Sequence, residues 1–172
     1  MYKRCGALHF VAYLSALNHF EEENLMKRIT AKQEHCMGCG LCEVYCLTQH
    51  SKSKDIIKAY NREKPRPISR VRLEMNKPIS FAIQCRHCDD APCAAACLTG
   101  AMHKDEETGL VTHDREKCMG CWTCVMVCPY GAIKIDKEGH VVAKCDQCVE
   151  LDVPACVANC PNGALECVEV EH

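Results

Sequence analysis

Apolar residues in this chain come in short bursts set off by turn residues. Three bursts follow the same turn: Cys97-Leu-Thr-Gly-Ala-Met102, Cys128-Pro-Tyr-Gly-Ala-Ile133 and Cys160-Pro-Asn-Gly-Ala-Leu165. Glycine permits the tight turn, and the apolar residue after Gly-Ala starts a short strand. Two of these strands predict hairpins. Ala101–Asp105 turns through residues 106–109 into Leu110–His113, and Ala132–Asp136 turns through residues 137–139 into His140–Lys144. Segments such as Trp122-Thr-Cys-Val-Met-Val-Cys128 are long enough for one or two helical turns. In the longer connection from Leu47 to Ile83, Pro65, Pro67 and Pro78 punctuate a predicted strand, Ser69–Met75. The pattern predicts a loop-rich α+β fold of short helices and β-hairpins.

Residues 1–25 read differently. Lys3-Arg4 precede a mildly apolar stretch, Ala7 to Leu17, broken by His9 and Ser15, and the acidic run Glu21-Glu22-Glu23 follows. This is a poor signal peptide, because no small-residue cleavage site comes after the apolar part. The plain readings are a short amphipathic helix, a loose extension, or a stretch upstream of a true start at Met26. No stretch approaches the roughly 18 apolar residues that a membrane span needs. The expectation is a cytoplasmic protein whose main domain runs over 26–172.

Composition changes the picture at one residue type. Aromatic residues are only 5%, with one Trp and three Phe, so the large side chains that normally dominate a core are scarce. Cysteine, by contrast, occurs 18 times. A disulfide scaffold would need an oxidising compartment and, usually, a short secreted chain, and neither is indicated.

Sixteen of the cysteines fall into four motifs. Motif one is Cys36-x2-Cys39-x2-Cys42-x3-Cys46, and motif two is Cys85-x2-Cys88-x4-Cys93-x3-Cys97. Motif three is Cys118-x2-Cys121-x2-Cys124-x3-Cys128-Pro129, and motif four is Cys145-x2-Cys148-x7-Cys156-x3-Cys160-Pro161. Motif three matches the bacterial ferredoxin run residue for residue. Three cysteines two residues apart curl a loop around three corners of an iron–sulfur cubane. The fourth, a helical turn further on, serves another cluster in two-cluster ferredoxins. Zinc is the rival metal, because motifs two and four taken alone supply Cys-x-x-Cys pairs. The evenly spaced triplets of motifs one and three make poor tetrahedral cages and good cluster loops. The expectation is four [4Fe–4S] clusters, with Cys5 and Cys167 left over as free thiols.

The formal net charge of −2 counts every cysteine as neutral. Four clusters with their thiolates would take the loaded protein to about −10. That disfavours nucleic acid as a partner and favours a docking face that offers Lys or Arg. Catalytic signatures are lacking. Gly38-Cys-Gly40 lies inside a cluster loop and is not a dinucleotide fingerprint, and there is no P-loop and no nucleophile elbow. His35 and His87 sit beside or between ligands, where a hydrogen bond to sulfur would raise a cluster potential. His50, His103, His113 and His140 fall on predicted turns or strand edges and read as surface residues. Trp122 and Tyr130 read as packing that keeps water from the sulfides.

From Met26 to about Val170 the chain resembles the four-cluster iron–sulfur subunits of anaerobic oxidoreductases. These include the CooF-type subunit of carbon monoxide dehydrogenase, HycB-type hydrogenase and formate dehydrogenase subunits, and the DMSO reductase electron-transfer subunit. The residues that carry the resemblance are Cys85-Arg-His-Cys-Asp89, Gly100 to Gly109, Cys124-Val-Met-Val-Cys-Pro-Tyr-Gly131 and Lys144-Cys-Asp-Gln-Cys148. It implies a tandem dicluster-ferredoxin-like fold in which motif one pairs with four, and two with three. Cys36, Cys39 and Cys42 would share a cluster with Cys160, and Cys145, Cys148 and Cys156 with Cys46. Cys85, Cys88 and Cys93 would go with Cys128, and Cys118, Cys121 and Cys124 with Cys97. It further implies an electron-transfer subunit and no enzyme in its own right, with carbon monoxide dehydrogenase as the first expected partner. A hydrogenase, a formate or aldehyde oxidoreductase, or a flavoprotein serving NAD(P) are alternatives. A redox sensor and a zinc-binding structural module are the remote ones. Two departures stand out: Leu47 and Leu98 follow Cys46 and Cys97 where proline would be usual, and residues 1–25 have no counterpart.

Overall fold

A computed structural model describes residues 3–4, 26–136 and 141–170. The elements, in order, are β1 (Lys3–Arg4), β2 (Met26–Ala31), a 3-10 turn (Gln33–His35), α1 (Leu41–Gln49), α2 (Ile56–Asn61), β3 (Arg72–Asn76), β4 (Ile79–Ile83), α3 (Pro92–Ala95), β5 (Met102–Lys104), β6 (Val111–His113), α4 (Thr123–Val127), β7 (Lys134–Asp136), β8 (Val141–Ala143), α5 (Ala155–Ala158) and β9 (Leu165–Val170). The fold is loop-rich α+β. Among the described residues no helix is long and apolar enough to cross a membrane.

Four small antiparallel sheets hold the loops. β1, β9 and β2 form one sheet, with Ile29 opposite Cys167 and Arg4 opposite Val168. β5 pairs antiparallel with β6 and β7 with β8, the strand pairs expected from the sequence, with Met102 opposite His113 and Lys134 opposite Ala143. β3 begins three residues later than the apolar pattern suggests. The preceding backbone is diverted: the Arg70 N–H donates to Cys46 Sγ at 3.1 Å, and the Ser69 hydroxyl donates to the Val71 carbonyl. β4 pairs with β3 across the whole of Arg72–Asn76.

The helices are short, and α2 and α3 begin at recognisable devices. Asp55 caps α2 by accepting from Lys58 N–H at 2.8 Å. Pro92 sits in the first turn of α3, where a missing N–H costs nothing. α1 packs on α5 and α3 on α4, so each helix pair brings two cysteine motifs together. Aliphatic residues and cysteines make up the core. One cluster holds Ile29, Val71, Ala82 and Leu165 with Cys42, Cys46, Cys85, Cys145 and Cys156. A second gathers Met102, Val111, Ile133 and Val142 around Cys93 and Cys124.

Cys167 differs from the expected free thiol: it is buried in β9 and disulfide-bonded. Leu165 and Val168 of the same strand are buried with it. Cys5 lies outside the described residues, as do His140 and the Glu21–Glu23 run.

Candidate metal centre

All sixteen motif cysteines are free thiols. They are gathered in four groups of four. Cys36, Cys39 and Cys42 line one cavity with Cys160. Cys85, Cys88 and Cys93 line a second with Cys128, and Cys118, Cys121 and Cys124 a third with Cys97. In the fourth group, Cys46 on α1 faces Cys145, Cys148 and Cys156 across the α1–α5 contact. Burial chiefly, then repulsion from Cys145, Cys46, Cys148 and Cys42, pushes the Cys156 thiol far up.

These electrostatic couplings also order the groups. Cys42, of the motif-one group, is felt by Cys156. Cys145 is pushed to about 12 by burial first and then, against a Gln147 backbone hydrogen bond, by Cys46 and by Cys85 of the motif-two group. Cys124 rises to about 11 through burial, with Cys118, Cys93 and Cys97 adding repulsion. Packing gives the same order: Cys42, Cys46, Cys145, Cys156 and Cys85 share one core, and Cys93, Cys128, Cys124 and Cys97 the other, so the sequence of groups is one, four, two, three. Groups one and three are outer, and each has a solvent-exposed cysteine, Cys39 and Cys121 respectively. Groups four and two are inner.

The donor set fits iron–sulfur cubanes. Each group offers four soft sulfurs, and backbone N–H groups already point at several: Met102 N–H to Cys97 Sγ at 3.3 Å, Ala164 N–H to Cys160 Sγ at 3.2 Å and Arg70 N–H to Cys46 Sγ at 3.1 Å. Burial holds thiols such as Cys42 near 11, so only a bound cation would keep them deprotonated at neutral pH. Such sets are what cluster ligation needs.

The histidines fall differently from the sequence expectation. His35 lines the motif-one cavity, and its carbonyl accepts from the Asn162 amide at 3.3 Å. His87 is fully buried, and its Nδ1 accepts from Val111 N–H at 3.0 Å. Burial, reinforced by Lys144 and Arg28, lowers its pKa to about 3. His50 is not a surface residue. It follows α1 directly, one turn beyond Cys46, and folds back so that Nδ1 lies 2.7 Å from the Cys46 carbonyl oxygen and 3.7 Å from its Sγ. Its Nε2 reaches Asp146 Oδ1 at 3.2 Å, and Arg70 pairs with the other carboxylate oxygen. Burial alone would lower His50, but the Asp146 and Cys46 hydrogen bonds outweigh it and raise the imidazole to about 9. His113 is likewise half-buried, with its Nε2 enclosed. His103 stays exposed, with Nε2 2.8 Å from the Thr112 hydroxyl. Spacing four residues from Cys46 was the available signal for His50. Trp122 opens α4 with a φ of 58° and lines the motif-three cavity, while Arg86 stacks on the Tyr130 ring at 4.3 Å.

The profile of the 4Fe-4S dicluster domain matches residues 77–170. The chain belongs to this family. Among curated relatives of this dicluster chain, an iron-sulfur protein of Rhodospirillum rubrum is 36% identical over 166 residues, covering 87% of this chain and 85% of its own. The electron transport protein HydN of Escherichia coli K12 is 38% identical over 157 residues, covering 82% and 87%. The thiosulfate reductase electron transfer subunit PhsB of Salmonella typhi is 30% identical over 165 residues, covering 87% and 78%. The dicluster protein is thus an iron–sulfur electron-transfer protein, as HydN and PhsB are by their names. The domain accounts for at least two of the clusters.

Proposed function

We propose that this chain is the electron-transfer subunit of an oxidoreductase and relays single electrons through four [4Fe–4S] clusters, one in each four-thiol group. The observation that carries this reading is the gathering of all sixteen motif cysteines into four complete sets. Bound clusters of this type each take up and release one electron. The chain's own residues do the rest. Thiols ligate, N–H groups stabilise the sulfurs, and the aliphatic core excludes water from the inner groups. At the ends, Cys39 and Cys121 are exposed beside Met37 and Met119, 61% and 66% exposed, which supports entry and exit there. A carbon monoxide dehydrogenase-like catalytic subunit is the first partner. A hydrogenase, or a formate, aldehyde or molybdopterin oxidoreductase, is the alternative, with a flavin protein serving NAD(P) as the second redox partner.

Metal analysis of anaerobically purified protein tests the count: about sixteen iron and sixteen acid-labile sulfide per chain are expected for four cubanes, and zinc near four would end the reading. Cys121→Ser should cost one cluster and interrupt electron throughput, and full throughput with a cluster missing would refute the relay. Co-purification from native cells, with the attached large subunit identified, tests the partner.

A further inference from the structure

The four Cys-x-x-Cys loops share one backbone device. The residue before the second cysteine has a positive φ in each: 71° at Gly38, 47° at His87, 74° at Gly120 and 58° at Gln147. Glycine takes this conformation without steric cost, whereas a residue with a Cβ is strained there. The two outer loops use glycine. The two inner loops instead place a large polar side chain in the strained position and bury it, at 0% exposure for His87 and 6% for Gln147. Their turns are otherwise the same, since His87 N–H donates to Cys85 Sγ and Gln147 N–H to Cys145 Sγ, each at 3.4 Å.

Both side chains carry a nitrogen without a partner. Val111 N–H donates to His87 Nδ1 at 3.0 Å, and the Lys144 ammonium lies 3.4 Å from the same atom. Two donors aimed at Nδ1 make it the acceptor, so the ring proton sits on Nε2. That Nε2 is buried with no hydrogen-bond partner, and so is Gln147 Nε2. Buried N–H groups are almost always bonded. The acceptors missing here are of the kind a cluster supplies, sulfide and thiolate sulfur.

We propose that His87 and Gln147 are potential-setting donors, whose side-chain N–H groups bond the sulfurs of the two inner clusters and raise the reduction potentials of these two. The inference rests on the four-cluster reading. Reduction adds one electron, and so one negative charge, to a cluster, and an N–H aimed at its sulfur stabilises that form more than the oxidised one. Lys144, 4% exposed and bonded to the Cys145 carbonyl at 2.9 Å, places a positive charge in the same region. The outer loops have no side chain at the matching position.

The test is a redox titration followed by electron paramagnetic resonance on anaerobically purified full chain, with iron and sulfide measured on each sample. His87→Gly and Gln147→Gly borrow the residue of the outer loops, so the backbone is not strained, while His87→Met and Gln147→Met fill the space without a donor. Each single variant should keep its iron and move one signal to lower potential. The shift expected is at least a tenfold change in the reduced-to-oxidised ratio at fixed ambient potential, about 59 mV for one electron. His87→Gln should restore most of it. Unchanged potentials with full iron would overturn the proposal, as would a shift in the Gly variants that the Met variants lack, since admitted water would then be the cause. Wild-type protein with far fewer than about sixteen iron would fail the four-cluster reading instead.

Discussion

At residue 50 an imidazole joins the Cys46 carbonyl to Asp146, whose carboxylate also holds Arg70. Desolvation would raise the Asp146 pKa, but the His50 hydrogen bond and the Arg70 charge pull it well below the usual carboxylate range. Folding therefore raises His50 from 6.5 to about 9, and the folded state holds that proton more tightly than the unfolded chain. The stabilisation is complete below pH 6.5 and fades as the pH climbs through 9. With Asp146 43% exposed and screened by solvent, it is worth on the order of 1–2 kcal/mol. Thermal transitions of wild type and His50→Asn should differ most near pH 6 and converge above about pH 9. A gap that stays constant across this range would remove the ion pair from the account. The cysteines themselves were legible in the sequence, because thiolate spacing is a local property. His50 was not, because its role depends on Asp146, a residue 96 positions away.

Among the elements, the hairpins β5–β6 and β7–β8 could be read because turn residues and alternation lie next to each other in the chain. β2 and β4 could not. β2 gains its strand character by pairing with β9 at the far end of the chain, and β4 lies beyond Pro78, past the end of the predicted strand Ser69–Met75. α2 escaped notice because it has only six residues and one buried side chain, Ala59. The β5–β6 hairpin is also where distant elements meet. Gly109, with a φ of 63°, leaves no room for a side chain, since a Cβ there would run into the Met26 thioether of β2. Arg28 of the same strand donates to the Gly109 carbonyl at 3.5 Å and pairs with Asp89 at 3.0 Å. Gly109→Ala combines a left-handed backbone with overpacking and should destabilise by about 2–4 kcal/mol. Thermal bleaching of the cluster absorbance would read this as a lowered midpoint, and an unchanged midpoint would mean that β2 yields without cost.

For the whole molecule, the question is what replaces the aromatic core that the composition lacks. Half of the residues in the main buried cluster are aliphatic or alanine and the other half are cysteines, so sulfur takes a large share of the interior. In a metal-free chain those thiols must be protonated, as the upward shifts at Cys42, Cys145 and Cys156 require, and four thiols around an unfilled space give little packing energy. Helices of four to nine residues are too short to persist alone, and the two-stranded hairpins are marginal in water. Ligation must then supply folding free energy directly, as it does in small metal-dependent domains. Iron removed by chelation under reducing conditions should leave a chain with little far-ultraviolet circular dichroism and no calorimetric peak, and restoring iron and sulfide should return both. A sharp heat-absorption peak from metal-free protein would mean that the aliphatic residues around Ile29, Val71 and Leu165 hold the fold without sulfur's help.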